Sequence, residues 1–107
     1  MSERRLDRLT GFGFRSGGFD KAVLAVGSTE SHGDHLPHGT DTIVAQHLAD
    51  EVAKRVERLL VLPPLPFGMS LHYSSFPIAI TLTTETLIGV LKEVLGSLLK
   101  HGIMKLL

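Results

Sequence analysis

Five side chains that can bind a divalent metal lie within the fifteen residues from Gly27 to Asp41. They are Glu30, His32, His35, His38 and Asp41. Carboxylate oxygens and imidazole nitrogens together suit zinc, manganese or iron, and a central carboxylate could bridge two such ions. An ion of this kind polarises a carbonyl group and lowers the pKa of a bound water towards neutrality. The stretch therefore predicts a metal centre that aims a hydroxide at an acyl carbon.

Three of these side chains are the best candidates for metal ligands. Glu30 and His32 are two positions apart, so both point to the same side if the segment is extended. Asp41 can fold back towards them, because the intervening glycine and proline residues let the loop turn sharply. The residues alone leave a second interpretation open, in which Asp41 caps a helix and Glu30 and His32 are solvated loop residues.

The remaining histidines of this region have weaker assignments. We expect His35 to stabilise the loop or to support the ligands rather than to bind metal. His38 is expected to be exposed to solvent. His47 falls on the apolar stripe of the helix that follows, which favours a core histidine.

The elements around these residues place them at the edge of a sheet. Lys21–Gly27 is a short apolar run closed by glycine, which is typical of a strand buried on both faces of a parallel sheet. A second such run, Leu59–Leu62, follows one helix later, which predicts a strand-helix-strand unit with parallel strands. The candidate ligands follow the first strand, and open α/β sheets place their chemistry at the carboxyl ends of strands.

The helix between these strands is predicted over Thr42–Glu57, with Thr40 or Asp41 as its N-cap. Apolar residues recur along one face at three- and four-residue spacing, and charged residues fill most of the other face. The stripe predicted to be buried consists of Ile43, Val44, His47, Leu48, Val52 and Val56.

A long polar loop is predicted over Pro63–Pro77, beyond the second strand. It leaves the same edge of the sheet as the candidate ligands, and long loops in compact domains are usually functional. Ser70 and His72 of this loop are therefore candidates for contact with a substrate.

The last part of the chain returns to regular structure. Ala79–Leu82 predicts a short third strand, and a threonine-capped helix then runs to about Lys100. Gly102 is expected to end that helix. Ile103–Leu107 is typical of the start of a fourth core strand. Because such a strand needs neighbours, we expect the sequence to be the N-terminal part of a longer α/β protein, or a partner chain to complete the sheet.

Length and composition narrow the class of protein. The chain has 107 residues, enough for a single domain, in which we expect residues 1–20 to be a loosely packed lead-in. The formal net charge is zero with both signs scattered, which favours neither a nucleic-acid partner nor an anionic membrane surface. There are no cysteines, no signal-peptide pattern and no apolar run near the roughly 20 residues that span a bilayer, so a cytoplasmic protein is expected.

The metal-ligand loop resembles the signature of the creatininase family in its pattern Gly27-Ser28-x-Glu30-x-His32-Gly33-x-His35-Leu36-Pro37-x-x-x-Asp41. Two later segments are also similar to this family, namely Pro66-Phe67-Gly68-x-Ser70 and Lys100-His101-Gly102-Ile103. The resemblance covers about Lys21 to Leu107.

The resemblance implies a three-layer α/β/α fold with a mostly parallel sheet. It implies a metal-dependent amidohydrolase that cleaves the C–N bond of a small-molecule amide, as in creatinine hydrolysis or formamide deformylation. Glu30 would bind one metal, His32 a second one, and Asp41 would bridge both, with zinc, manganese or iron as the metal. Members of the family often form hexamers, so a homo-oligomer is expected.

One departure from the family pattern opens an alternative. After the strand that begins at Ile103, the family has an Asn-Gly-His-x-x-Asn segment with further metal ligands, and this chain ends before it. The alternative is a shortened, non-catalytic member of the family that acts as an assembly or metal-binding piece.

Overall fold

A three-stranded parallel sheet lies at the centre of the computed structural model, which describes residues 3–71 and 77–107. Short helices and strands alternate along these residues. The helices are α1 (Gly11–Gly17), α2 (Thr40–Ala53) and α3 (Thr84–Leu99), and the strands are β1 (Lys21–Val23), β2 (Thr29–Glu30), β3 (Leu59–Val61), β4 (Ala79–Ile80) and β5 (Lys105–Leu106).

The central sheet has the strand order β3-β1-β5, and both pairs of neighbours are parallel. Ala22 of β1 lies opposite Leu60 of β3 on one side and Leu106 of β5 on the other. This confirms the predicted parallel strand-helix-strand unit. The strand expected over Ala79–Leu82 is shorter and lies outside this sheet, because β4 pairs antiparallel with β2 in a separate two-stranded ribbon.

Helices cover both faces of the sheet. Successive residues of a strand point to opposite faces, so Val23 packs on the side of α2 and Ala22 on the side of α3. Ala49 and Ala53 of α2 pack in the apolar core on the Val23 face of the sheet. Leu98 of α3 packs in the apolar core on the Ala22 face. The predicted three-layer α/β/α fold with a parallel sheet is therefore confirmed.

The buried face of α2 differs from the predicted stripe. Ile43, Val44 and Leu48 are 60%, 53% and 58% exposed, whereas Ala49 and Ala53 are buried. Small side chains let the helix lie close to the sheet, so the alanine face is the one that packs. His47 is also exposed, so its assignment as a core histidine was wrong.

The ends of α3 match the sequence signals. The Thr83 side chain caps the first turn by accepting a hydrogen bond from the Thr86 backbone N–H. At the other end, the backbone N–H of Ile103 donates to the carbonyl oxygen of Leu98 at 3.1 Å, and Gly102 has a φ of 81°. This is the glycine-terminated helix end that was predicted.

Residues 3–20 are more closely integrated than the expected loose lead-in. The backbone N–H of Val61 donates to the carbonyl oxygen of Arg4 at 2.9 Å, and the Arg4 guanidinium donates to the carbonyl oxygen of Val56 at 3.0 Å. Phe14 and Phe19 pack against the core on the α3 side of the sheet. Backbone pairing with β3 and the burial of apolar side chains thus attach the segment to the sheet.

The helices of residues 3–71 and 77–107 include none with the length and apolar character that crossing a membrane requires.

An ion pair between Arg5 and Asp50 joins the N-terminal segment to α2 and generates a stability prediction. Arg5 Nε and Nη2 donate to the two carboxylate oxygens of Asp50 at 3.2 and 2.7 Å, and these bonds lower the pKa of Asp50 below its ordinary value of 3.8. Because the folded-state pKa of Asp50 is lowered, the ion pair contributes its full stabilisation at pH values above 3.8. That stabilisation is lost as the pH falls through the folded-state pKa. We expect D50N to reduce the free energy of unfolding by about 1 kcal/mol at neutral pH, a difference that narrows below about pH 4.

Urea unfolding of wild type and D50N at about pH 7 and pH 3 measures this difference. D34N, which alters an exposed aspartate in the loop between β2 and α2, is the control and should be as stable as wild type at both pH values. An equal wild-type-to-D50N difference at the two pH values would contradict the prediction.

Candidate metal centre

The segment that follows β1 lies against the loop that follows β3. The Gly27 backbone N–H donates to the carbonyl oxygen of Leu65 at 2.8 Å, and the Thr29 hydroxyl donates to that of Pro66 at 2.8 Å. The two loops therefore leave the same edge of the sheet, as predicted. Backbone pairing continues beyond the regular strands and fixes the segment that leads to Glu30.

Gly27 is the point at which three pieces of backbone approach one another. A Cβ atom built on Gly27 would lie 2.5 Å from the Cα of Thr42, and one built on Gly68 would lie 2.8 Å from the carbonyl oxygen of Gly27. Only glycine permits approaches this close. As a result, the first turn of α2 lies directly beside the segment that carries Ser28 and Glu30.

Asp41 lies in that first turn and does not cap the helix. The N-cap of α2 is Gly39, which has no side-chain capping bond, so the predicted cap at Thr40 or Asp41 was wrong. The Asp41 carboxylate instead turns back towards β2, where its Oδ2 lies 2.6 Å from the hydroxyl oxygen of Ser28. That hydroxyl oxygen also lies 2.7 Å from Glu30 Oε1.

His32 completes the cluster through a tight turn. It pairs with Leu36 across a short antiparallel bridge, and Gly33 at the turn has a φ of 77°, a left-handed value that suits glycine. The His32 Nε2 atom lies 3.2 Å from Asp41 Oδ2. The structure thus brings together the three residues that the sequence singled out.

The spacing of the cluster suits metal coordination. One ligand atom from each of Glu30, His32 and Asp41 lies within 4.8 Å of the other two. Bonds of about 2.0–2.2 Å to zinc allow two ligands of one ion to lie at most about 4.4 Å apart. Small rotations of the side chains would therefore close the cluster around an ion.

The Glu30 carboxylate supplies a further reason to expect a cation. Glu30 is only 7% exposed, and its Oε2 atom is buried with no hydrogen-bond partner among residues 3–71 and 77–107. A buried polar atom without a partner costs about 1–3 kcal/mol, more when it is charged. A divalent cation bound at Oε2 would remove this cost, so the residues present fit a metal ion.

Hydrogen bonding keeps Asp41 ionised. The Ser28 hydroxyl contributes most to lowering the pKa of Asp41 below its ordinary value, with smaller contributions from Glu30 and His32, while burial acts in the opposite direction. The position of Asp41 in the first turn of α2 also favours negative charge, because the helix dipole is positive there. The cluster therefore has a carboxylate ready to bind a cation at neutral pH.

The other candidates lie apart from this cluster. His35 and His38 are exposed. His38 contacts the site through its backbone carbonyl oxygen, which accepts a hydrogen bond from the Glu30 backbone N–H at 3.1 Å. Ser70 is fully buried, and its backbone N–H donates to the Thr81 hydroxyl at 2.9 Å. Contact of Ser70 with a substrate stays a prediction, and His72 lies outside the described residues.

Ser28 is the residue of the cluster that the sequence analysis missed. Its position in the extended segment carried the signal, since residues 28, 30 and 32 alternate to the same side with period two. A serine two positions before a candidate carboxylate ligand could therefore have been placed within reach of that carboxylate.

Fold and site together define an α/β protein with a candidate metal centre at the carboxyl end of its central strand. The family model described as creatinine amidohydrolase matches residues 12–107, and the chain belongs to the creatininase family. The predicted resemblance is thereby confirmed.

Relatives of this chain carry different names. The mycofactocin precursor peptide peptidase of Mycolicibacterium smegmatis is 36% identical over 76 residues, which are 66% of this chain and 31% of that protein. The creatinine amidohydrolase of Pseudomonas putida is 30% identical over 89 residues, 78% of this chain and 34% of that protein. The 3-dehydro-scyllo-inosose hydrolase of Thermotoga maritima is 30% identical over 87 residues, 80% of this chain and 28% of that protein. The chain thus spans about a third of the length of these curated relatives.

Solved creatininases have the same fold. A creatininase described as the Mn form has a TM-score of 0.86 and 26% identity, over 98% of this chain and 44% of that chain. A mutant creatininase described as the Zn–Zn type has a TM-score of 0.88 and 26% identity, over 99% of this chain and 44% of that chain.

The close approach at Gly27 generates a second prediction. In G27A the new Cβ would overlap the backbone of Thr42, which cannot move without displacing α2. We expect a loss of about 1–3 kcal/mol of stability, the usual cost of overpacking. Denaturant unfolding of the purified variant measures it.

G89A is the matched control, because a Cβ at Gly89 would have no atom from outside its own helix within 4 Å among residues 3–71 and 77–107. Alanine in a helix interior should leave stability unchanged or raise it by up to about 1 kcal/mol. A G27A protein as stable as wild type would show that the contact at Thr42 does not constrain the site.

Proposed function

We propose that this chain carries part of the metal centre of a hydrolase that cleaves a C–N amide-type bond with a metal-activated water. The observation that carries the proposal is the convergence of Glu30, His32 and Asp41, which each offer a ligand atom within 4.8 Å of the other two. The buried Glu30 Oε2, which has no hydrogen-bond partner among residues 3–71 and 77–107, adds to it. Membership of the creatininase family supports the same class of reaction.

The proposed ligand roles follow the family resemblance. Glu30 would hold one metal, His32 would hold another, and Asp41 would hold both. Two carboxylates and an imidazole suit zinc, manganese and iron. Zinc and manganese have the additional support of the solved relatives that are described as Zn–Zn and Mn forms.

A divalent ion bound by this cluster would polarise a substrate carbonyl and lower the pKa of a bound water. The protein residues supply charge and orientation. Glu30 and Asp41 contribute negative charge that favours the cation. His32 must present Nε2 without its proton, so binding replaces its present contact with Asp41 Oδ2. The backbone between Gly27 and Glu30, fixed by its bonds to the loop after β3, holds the carboxylates in place.

The substrate class in this proposal is a small-molecule amide, either a cyclic amide such as creatinine or a formamide. The creatinine amidohydrolase relative supports the cyclic amide, while the different names of the other relatives show that substrates vary among them. A homo-oligomer, hexameric as the resemblance implies, and a cytoplasmic location complete the proposal.

A second candidate is a non-catalytic member of the family that binds metal or assembles with a partner. It rests on the same cluster of Glu30, His32 and Asp41, which could bind a metal without catalysing a reaction.

Metal titration tests the site that both candidates share. We expect calorimetric titration of the metal-free protein with Zn²⁺ or Mn²⁺ to show saturable binding. E30Q and D41N should weaken it by about 100-fold or more, because loss of a residue that only supports the ligands already costs about 10- to 100-fold. D34N, in the same loop but outside the cluster, is the control and should bind as wild type does. If wild type binds no more tightly than D41N, the site assignment is wrong.

Turnover separates the two candidates. The metal-loaded protein is incubated with creatinine, which gains one water to give creatine, and with an N-formyl arylamine, which gives formate and the free amine. The hydrolase proposal predicts product in at least one assay from the protein that contains the whole metal centre, and loss of that product in E30Q. Metal binding without product from either compound would favour the non-catalytic candidate.

A further inference from the structure

The Ser28 hydroxyl lies between the two carboxylates of the candidate centre. Its oxygen lies 2.7 Å from Glu30 Oε1 and 2.6 Å from Asp41 Oδ2, and Ser28 is 9% exposed. Both distances are typical of hydrogen bonds from a hydroxyl to a charged oxygen, and the single hydroxyl proton is donated to one carboxylate at a time. One buried hydroxyl therefore links a carboxylate on β2 to a carboxylate on α2.

The backbone holds Ser28 in place from both sides. The preceding residue, Gly27, contacts Thr42 closely, and the Thr42 hydroxyl donates to the Ser28 carbonyl oxygen at 3.4 Å. Serine also has a short side chain with a single χ angle to fix. The hydroxyl is thus a fixed point relative to which both carboxylates are placed.

Contact with Ser28 distinguishes the two oxygens of Glu30. Oε1 is engaged by the hydroxyl, whereas Oε2 is buried and has no partner among residues 3–71 and 77–107. The oxygen that remains for a cation is therefore Oε2. Metal-binding carboxylates are themselves hydrogen-bonded, and a bond to one oxygen fixes the orientation in which the other oxygen meets an ion.

We propose that Ser28 is the positioning residue of this metal centre, which holds Glu30 as a ligand through Oε2 alone and fixes the spacing between Glu30 and Asp41. The inference rests on the proposed function, because it assumes that the cluster binds a metal. Ser28 itself binds neither metal nor substrate in this assignment. Its effect is on the geometry and affinity of the site.

Two pairs of proteins isolate the hydroxyl, namely wild type with S28A and S28T with S28V. In the first pair the hydroxyl is removed from the wild-type side chain. In the second pair the side chains have the same shape and differ only in the hydroxyl. Any steric effect of the added methyl group is therefore common to S28V and S28T. S31A is a further control, because the Ser31 hydroxyl takes part in none of the hydrogen bonds that join Ser28, Glu30, His32 and Asp41.

The full chain is titrated with Zn²⁺ by calorimetry, and its Co²⁺ form is examined by visible absorption spectroscopy at saturating metal. We expect S28A to bind Zn²⁺ about 10- to 100-fold more weakly than wild type, and S28V to bind it at least about 10-fold more weakly than S28T. S31A should match wild type. The Co²⁺ spectra of S28A and S28V should differ from those of wild type and S28T, because Glu30 would be free to bind through both oxygens.

The outcomes separate this inference from the proposed function. Wild-type binding with equal affinities and equal Co²⁺ spectra within either pair overturns the role of Ser28 and leaves the metal centre standing. Absence of Zn²⁺ binding by wild type overturns both. If circular dichroism shows that one pair does not fold, the other pair decides by the same criteria.

Discussion

The contact between Gly27 and the start of α2 is the constraint on which the rest of the site depends. The backbone of Thr42 approaches Gly27 so closely that any side chain at position 27 would overlap it. This approach places Asp41, eleven positions after Glu30 in the sequence, beside the segment that leaves β1. A strand end, a helix start and the loop after β3 meet at this point, and the chemistry of the chain is concentrated there.

Bringing two carboxylates together has an electrostatic cost that the surrounding residues only partly offset. The Ser28 hydroxyl lies within hydrogen-bond distance of one oxygen of each and donates its single proton to one of them at a time. His32 contacts Asp41, and the first turn of α2 favours the negative charge of Asp41. The buried Oε2 of Glu30 has no such compensation among residues 3–71 and 77–107. Binding of a cation would stabilise a cluster of this kind, so metal binding and the free energy of unfolding are coupled. A metal bound at this cluster would therefore stabilise the loop that carries it.

The sequence predicted those parts of the structure that local patterns determine. Apolar runs located β1 and β3, and the spacing of Glu30 and His32 predicted that both lie on one side of an extended segment. The turn residues between them allowed Asp41 to join, and the structure places all three side chains together. Gly102 predicted the end of α3, because a left-handed residue with no Cβ is favoured there.

Features that depend on packing between distant segments could not be predicted in the same way. The burial of Ala49 instead of Leu48 on α2 depends on how closely the helix approaches the sheet, which helical periodicity does not encode. The role of Gly39 as N-cap arises because Asp41 is engaged by Ser28. β4 leaves the central sheet because β2 provides a partner of opposite direction, and a run of two residues gives no pattern from which this could be read.

The most direct measurement of the central claim is an anomalous-difference map from crystals of this protein grown with Zn²⁺. We expect a peak about 2.0–2.2 Å from Glu30 Oε2 and from an Asp41 carboxylate oxygen, with the Ser28 hydroxyl still on Oε1. Zinc bound only at exposed residues such as His35 or His38, with the three clustered side chains unchanged, would contradict it.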